Sequence, residues 1–346
     1  MSNIQINPYN FVAAGLGSWK ELDRTTLAVE SNTITVSGLD SKQYLMVLTQ
    51  GRTAQTNGDL SFRYNGDSGA NYASRQAWNG GSDNPYINQT EIRPLGTVID
   101  LQFLNIDYIS NLSGQEKLVI GSGTDNTVSG ASLPPSREEH VAKWSNTSSS
   151  LNEVQALLTN GTPNFRVGSE VVVLGYDPTD THTTTDNFWQ ELSSTTLAVA
   201  ATNFSSGTIL AKKYLWVQVS IPSPNHNFNL QFNGDTGNNY AKRRSENGGT
   251  DTTSINQDRM TLGSYGSTDS DFYNIFIINN LANEKLAIIK NVNRNTAGAP
   301  NAPWRSEFAS KWSNTSAQIT TIDVLQQSGG AGSFGIGTIM KVWGHD

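Results

Sequence analysis

The stretch Phe62-Arg-Tyr-Asn-Gly-Asp-Ser-Gly-Ala-Asn-Tyr-Ala73 occurs a second time as Leu230-Gln-Phe-Asn-Gly-Asp-Thr-Gly-Asn-Asn-Tyr-Ala241. In both copies, alternating apolar and polar residues precede Asn-Gly, a dipeptide that favours tight turns between antiparallel strands. The two copies lie 168 positions apart, and long matches at a fixed spacing indicate an internal repeat. The sequence therefore predicts the same strand–turn–strand unit twice.

Other segments repeat in the same order. They are Trp19–Val29 with Trp189–Val199, Ile87–Gln89 with Ile255–Gln257, Glu116–Leu118 with Glu284–Leu286, Lys143–Thr147 with Lys311–Thr315, and Gly168–Gly175 with Gly337–Gly344. These matches predict an N-terminal arm (1–10), repeat 1 (11–175), a linker (176–187) and repeat 2 (188–346). The linker is placed where the sequence has neither strand nor helix periodicity.

Within repeat 1, short apolar runs are separated by turn residues, as in β-sandwiches. We expect strands near 25–29, 33–36, 43–49, 60–64, 70–76, 97–106, 115–120 and 168–175. Val141 and Trp144, three residues apart, predict one short helix over Arg137–Trp144, repeated at Arg305–Trp312. The predicted fold is all-β, with two tandem homologous antiparallel β-sandwich domains of jelly-roll-like form.

The composition argues against several classes of protein. Charged residues make up only 15% of the 346 residues, whereas 8 Trp, 11 Tyr and 12 Phe supply enough apolar area for packed cores. A net charge of −7 and the absence of a long basic cluster disfavour nucleic-acid binding. The chain has no Cys, no secretory signal and no apolar run long enough to cross a bilayer. We expect neither a nucleic-acid nor a membrane partner.

The Asn-Gly-Asp stretches allow a structural and a functional interpretation. Asn and Gly tolerate positive φ, and Asp can bind nearby amides, so we interpret them as structural turns. The alternative is a cation or sugar site, but a calcium loop needs more carboxylates at alternating positions. The residues concerned are Asn65, Gly66, Asp67 and Gly69, with Asn233, Gly234, Asp235 and Gly237 in repeat 2.

No catalytic or cofactor-binding residue is predicted. Trp144 and Trp312 could form exposed sugar platforms, but an identical Trp in both copies is more simply a core residue. His140 aligns with Phe308, and the four histidines lack metal-ligand spacing. The repeated glutamates include Glu-Lys and Arg-x-Glu pairs, which are typical of surface or structural ion pairs. These glutamates are Glu21, Glu116 and Glu139, with Glu191, Glu284 and Glu307. We expect no enzyme, no cofactor and no metal.

The repeated motifs resemble a family of virion proteins of tailed bacteriophages. The resemblance rests on Trp-x-Glu-Leu-x-x-x-Thr-Leu, Phe-Asn-Gly-Asp-Thr-Gly-x-Asn-Tyr-Ala, Lys-Trp-Ser-Asn-Thr-Ser-Ala-Gln-Ile-Thr and the terminal Val-x-Gly-His-Asp. It covers nearly the whole chain twice and fits repeat 2 better, because repeat 1 has Tyr64 for Phe and ends Val-Leu-Gly-Tyr. The family includes capsid cement (decoration) proteins and minor structural or tail proteins.

This resemblance implies a non-enzymatic structural protein, made in the host cytoplasm and bound to the outer surface of the virion. The leading hypothesis is a decoration protein that binds the major capsid protein, as a homotrimer, and stabilises the head. The alternative is a receptor- or glycan-binding module of the tail or baseplate. Ile4, Ile6 and Tyr9 of the arm are the candidate partner-binding residues, since they place apolar side chains on a terminal segment.

Overall fold

A computed structural model describes residues 19–54, 58–98, 100–160, 164–178, 180, 186–222, 226–265, 270–278, 280–293, 302–326 and 333–346. Within these ranges the chain is all-β and antiparallel, which confirms the predicted fold class, and no α-helix occurs. Consequently, no helix in this part of the chain could span a bilayer.

The described residues form twenty-five strands. In repeat 1 they are β1 (Lys20–Thr26), β2 (Thr33–Ser37), β3 (Tyr44–Ala54), β4 (Gly58–Tyr64), β5 (Tyr72–Trp78), β6 (Asn84–Gln89), β7 (Ile92–Val98), β8 (Gln102–Ser110), β9 (Lys117–Asp125), β10 (Glu138–Trp144), β11 (Glu153–Thr159), β12 (Asn164–Phe165) and β13 (Glu170–Tyr176). In repeat 2 they are β14 (Gln190–Thr196), β15 (Asn203–Ser205), β16 (Tyr214–Ile221), β17 (His226–Phe232), β18 (Tyr240–Glu246), β19 (Thr252–Gln257), β20 (Met260–Tyr265), β21 (Asp271–Ile277), β22 (Lys285–Asn293), β23 (Trp304–Trp312), β24 (Ile322–Leu325) and β25 (Ile339–His345).

Each half of the chain contains one large and one small sheet. The large sheets have the orders β1-β13-β3-β8-β9-β10-β5-β6 and β14-β25-β16-β21-β22-β23-β18-β19, with β12 additionally paired to β3. The small sheets have the orders β2-β11-β4-β7 and β15-β24-β17-β20. Strands at equivalent sequence positions therefore occupy equivalent places in both halves.

The predicted helix over Arg137–Trp144 is wrong. These residues form β10 after Arg137, and the equivalent residues form β23. Glu138, His140, Ala142 and Trp144 are buried while Val141 is exposed, which is the two-residue period of a strand. The three-residue spacing of Val141 and Trp144 misled the prediction because these two side chains point to opposite faces of the sheet.

The other strand predictions hold only in part. Strands β6, β11 and β12 were not expected, and the strand predicted near 25–29 lies earlier, as β1. The predicted strand over 97–106 is divided between β7 and β8. Asp100, between these two strands, has a φ of 46°, which interrupts an extended chain. Tyr176, which was assigned to the linker, is the last residue of β13.

The described residues form three apolar cores. In repeat 1 the first lies between its two sheets, where Leu45 and Val47 face Phe62 and Val154, and repeat 2 has the corresponding core. The third lies between the two large sheets and thus joins the halves. Its members from repeat 1 are Met46, Leu48, Leu104, Ile106, Val172 and Leu174, and those from repeat 2 include Phe188, Trp189, Phe276, Leu286 and Ile288. Each large sheet therefore has apolar residues on both faces.

The interior of repeat 1 contains a polar triplet that repeat 2 lacks. Asp107, Gly121 and His140 lie side by side on β8, β9 and β10, and His140 Nε2 reaches across Gly121 to Asp107 Oδ1 at 2.9 Å. A Cβ atom on Gly121 would lie 2.1 Å from the imidazole ring, so only glycine leaves room for this contact. The equivalent neighbours in repeat 2 are Ile275, Ile289 and Phe308.

We predict that these three positions can be exchanged together but not singly. Gly121→Ile alone overpacks the core and should lower the free energy of unfolding by about 3 kcal/mol or more. The triple variant Asp107→Ile, Gly121→Ile, His140→Phe recreates the apolar set of repeat 2 and should recover that loss, because a buried polar pair is often replaced at no cost by well-packed apolar residues. Urea unfolding followed by tryptophan fluorescence measures both. A triple variant as unstable as the single one would contradict this.

Candidate functional site

The partner-binding residues predicted from the sequence cannot be placed. Ile4, Ile6 and Tyr9, with the whole 1–10 arm, lie outside the described residues.

The Asn-Gly-Asp stretch of repeat 1 forms the turn between β4 and β5. Asn65 and Gly66 have φ values of 52° and 64°, as tight turns require. Asp67 Oδ1 accepts a hydrogen bond from the Gly69 amide at 2.9 Å, and its Oδ2 accepts one from the indole of Trp144 at 2.7 Å. Burial opposes ionisation of Asp67, but hydrogen bonds from Trp144, the Gly69 amide and Asn71 outweigh it and lower its pKa. The carboxylate thus anchors a buried core residue.

Repeat 2 reproduces this arrangement. Asp235 accepts hydrogen bonds from the Gly237 amide at 2.8 Å and from the Trp312 indole at 2.6 Å. Trp144 and Trp312 are 0% and 1% exposed, so the prediction that they are core residues is confirmed. Among the described residues, no group of three or more His, Asp or Glu side chains is placed to hold a metal ion.

The repeated glutamates are dispersed over both halves. Glu21 pairs with Arg24, Glu191 with Lys341 at 2.6 Å, and Glu116 with Lys143 at 2.9 Å. The exception is Glu139 with Glu307, equivalent residues that come together at the contact between the two halves. Arg137 contacts both of them, at 3.5 Å from Glu307, and also Asp251 at 2.7 Å.

Equivalent residues of the two halves also meet around a cavity in the interface between the large sheets. A cavity of about 100 Å³ is lined from both sides by matched positions, so a local pseudo-two-fold axis passes close to it. The matched pairs are Ile106 with Asn274, Tyr108 with Phe276, Ile120 with Ile288, and Ser122 with Lys290.

The interface departs from this symmetry on one side. Residues 126–135, which connect β9 to β10, lie along the outer face of the repeat 2 sheet. Lys311 Nζ donates to the carbonyl oxygens of Asn126 and Val128 at 2.7 and 2.6 Å, and the Asn256 amide donates to the Ala131 carbonyl oxygen at 2.9 Å. The groove that receives this segment is thereby closed.

None of the described residues covers the matching face of repeat 1. Here β5, β6, β9 and β10 form a groove of about 470 Å³, which we call the repeat 1 groove. Its apolar lining is Tyr86, Ile87, Leu118, Ile120 and Val141, of which Leu118 and Ile120 are 54% and 60% exposed. Contiguous exposed apolar side chains mark sites of protein contact.

The groove was not predicted from the sequence, although a signal was present. Leu118, Val119 and Ile120 are consecutive apolar residues in β9. A strand that is apolar on both faces needs a cover on each. This pattern could have shown that the outer face needs a cover.

A comparison of the chain with models of known protein families finds no match, and a comparison with curated proteins finds none either. The functional inference therefore depends on the sequence motifs and on this geometry.

We predict that the Asp–indole contacts stabilise both halves. Asp67→Asn and Asp235→Asn each weaken a hydrogen bond to a charged acceptor and should lower the free energy of unfolding by about 1 kcal/mol, less than for a fully buried contact. Asp40→Asn, at an exposed position outside this turn, is the matched control. Chemical unfolding at pH 7 measures all three. An effect of Asp40→Asn as large as that of the turn variants would refute the assignment.

We also predict a pH dependence at the contact between the halves. Burial and the neighbouring Glu139 carboxylate raise the pKa of Glu307 to about 7. Since an unfolded glutamate has a pKa near 4.3, the folded state binds more protons between these values. The stabilisation that comes from the raised pKa of Glu307 is fully present below pH ~4.3 and is lost as the pH rises through about 7.

The variant Glu307→Gln tests this dependence. It mimics the protonated carboxyl, so its free energy of unfolding should decline less between pH 5.5 and 8 than that of the wild type. Glu153→Gln, in the small sheet of repeat 1, is the matched control and should retain the wild-type slope. Equal slopes for wild type and Glu307→Gln would contradict the expectation.

Proposed function

We propose that this chain is a non-enzymatic structural protein of a bacteriophage virion, a decoration protein that binds the outer surface of the head. The repeated motifs, which resemble those of phage virion proteins, supply the biological setting. The observation that carries the proposal is the repeat 1 groove, an apolar face whose counterpart in repeat 2 is covered by protein. A rigid scaffold with such a face suits attachment to another protein.

The same observation supports the decoration protein over the glycan-binding alternative. Sugar sites rely on exposed aromatic rings, whereas the centre of this groove is aliphatic, with Leu118, Ile120 and Val141. A decoration protein gains affinity when several modest contacts act together, because linked contacts raise the effective concentration. A homotrimer on the major capsid protein would bring three copies of the two halves to one site and so increase the number of linked contacts.

We predict that the purified protein binds heads that lack it and raises their resistance to heat. Co-sedimentation measures binding, and cryo-electron microscopy of the decorated heads should show density on their outer surface. Density on tails alone would end the decoration hypothesis.

The N-terminal arm can be tested in the same assay. Deletion of residues 2–10 should reduce retention on heads if the arm contributes one of the linked contacts. The variant Ile4→Ser, Ile6→Ser, Tyr9→Ser keeps the chain length. It therefore distinguishes the effect of losing the apolar side chains from the effect of shortening the chain. Full retention of both variants, with unchanged heat resistance, would remove the arm from the mechanism.

A further inference from the structure

We propose that the repeat 1 groove binds an uncharged loop segment of a partner protein, in the way that the repeat 2 sheet binds residues 126–135 of this chain. This inference rests on the proposed function and names the manner in which the partner is held.

The contacts of residues 126–135 define what such a groove recognises. Most of the bound groups belong to the backbone. Beyond the Lys311 and Asn256 contacts, Arg243 Nε donates to the Pro135 carbonyl oxygen at 3.0 Å, and the Gly130 amide donates to Glu284. Asn126 Nδ2 also donates to Glu284, at 2.8 Å. The bound segment, Asn-Thr-Val-Ser-Gly-Ala-Ser-Leu-Pro-Pro, carries no charge.

The floor under this segment is apolar. Leu286 and Ala309 are 0% exposed and Ile288 is 7% exposed. Backbone recognition over an apolar floor is tolerant of sequence but selects a segment with small, uncharged side chains, because each buried charge would need its own partner.

Repeat 1 has the same groups at the equivalent positions, and no described residue occupies them. Leu118 and Ile120 match Leu286 and Ile288, and Val141 matches Ala309 and is 49% exposed. The polar contacts of repeat 2 also have identical counterparts. These are Arg75 for Arg243, Asn88 for Asn256, Glu116 for Glu284, and Lys143 for Lys311.

In repeat 1 the polar groups pair with each other on the surface. Lys143 contacts Glu116 at 2.9 Å, and Arg75 contacts Asp83 at 3.8 Å, with all four side chains more than a third exposed. Exposed ion pairs contribute little, so a ligand can replace them readily. Lys143 and Arg75 then become available for carbonyl oxygens, and Glu116 for an amide.

A peptide copied from this chain can serve as the test ligand. A synthetic peptide with the sequence of residues 126–135 should bind the full-length protein in the repeat 1 groove. Methyl NMR with isotope-labelled Ile, Leu and Val detects dissociation constants up to the millimolar range. We expect shifts of the Leu118, Ile120 and Val141 methyl signals and no shift of those of Leu286 and Ile288.

Variants of the groove test its specificity. Leu118→Asp with Ile120→Asp should abolish binding, and Lys143→Ala should weaken it about tenfold by removing a charged donor. Val29→Asp with Val167→Asp is the matched control, because these side chains are 72% and 60% exposed and do not line the groove. The control should bind the peptide as the wild type does.

Three results would overturn the proposal. The first is no shift with several millimolar peptide. The second is shifts of the Leu286 and Ile288 methyls, which would mean that the peptide displaces residues 126–135. The third is binding seen only after residues 294–301 are replaced by Gly and Ser, which would make the chain itself the occupant. If the Leu118→Asp, Ile120→Asp variant still binds heads, the groove is not the attachment site, although the proposed function stands. If the wild-type protein does not bind heads, the proposed function is wrong, although the peptide result stands.

Discussion

A large sheet with apolar residues on both faces is the constraint on which this structure depends. One face of each large sheet is covered by its own small sheet, which is the ordinary solution of a β-sandwich. The other face still needs a cover. The two halves meet this need in part by packing their large sheets against each other, so the contact between the halves is a third core and not a loose tether.

Because the two large sheets are equivalent, one chain shows the same surface twice, covered in repeat 2 and left exposed by the described residues in repeat 1. Leu286 is buried under repeat 1, whereas its equivalent Leu118 is half exposed. Likewise, Lys311 binds carbonyl oxygens while Lys143 pairs with a glutamate on the surface. The difference lies in what covers each face and not in the residues, which are nearly the same. The open face therefore has chemistry suited to a protein cover.

The sequence was most informative where the evidence is local. Asn-Gly turns and period-2 alternation led to the all-β fold, because they depend on backbone preferences of a few residues. The prediction for Arg137–Trp144 was wrong because a single apolar pair fits a helix and a strand equally well, and only pairing with β5 and β9 decides between them. The Asp67–Trp144 contact joins residues far apart in sequence, so no local pattern indicates it.

The difference between the two interiors has a consequence for assembly of the chain. Tandem copies of one fold are prone to exchange strands while they form. If β22 entered repeat 1 in place of β9, Ile289 would meet the imidazole of His140 in the space that Gly121 leaves open. If β9 entered repeat 2, a glycine would leave a void beside Phe308. Each interior therefore packs best around its own central strand, because the strand from the other half would be too large in repeat 1 and too small in repeat 2.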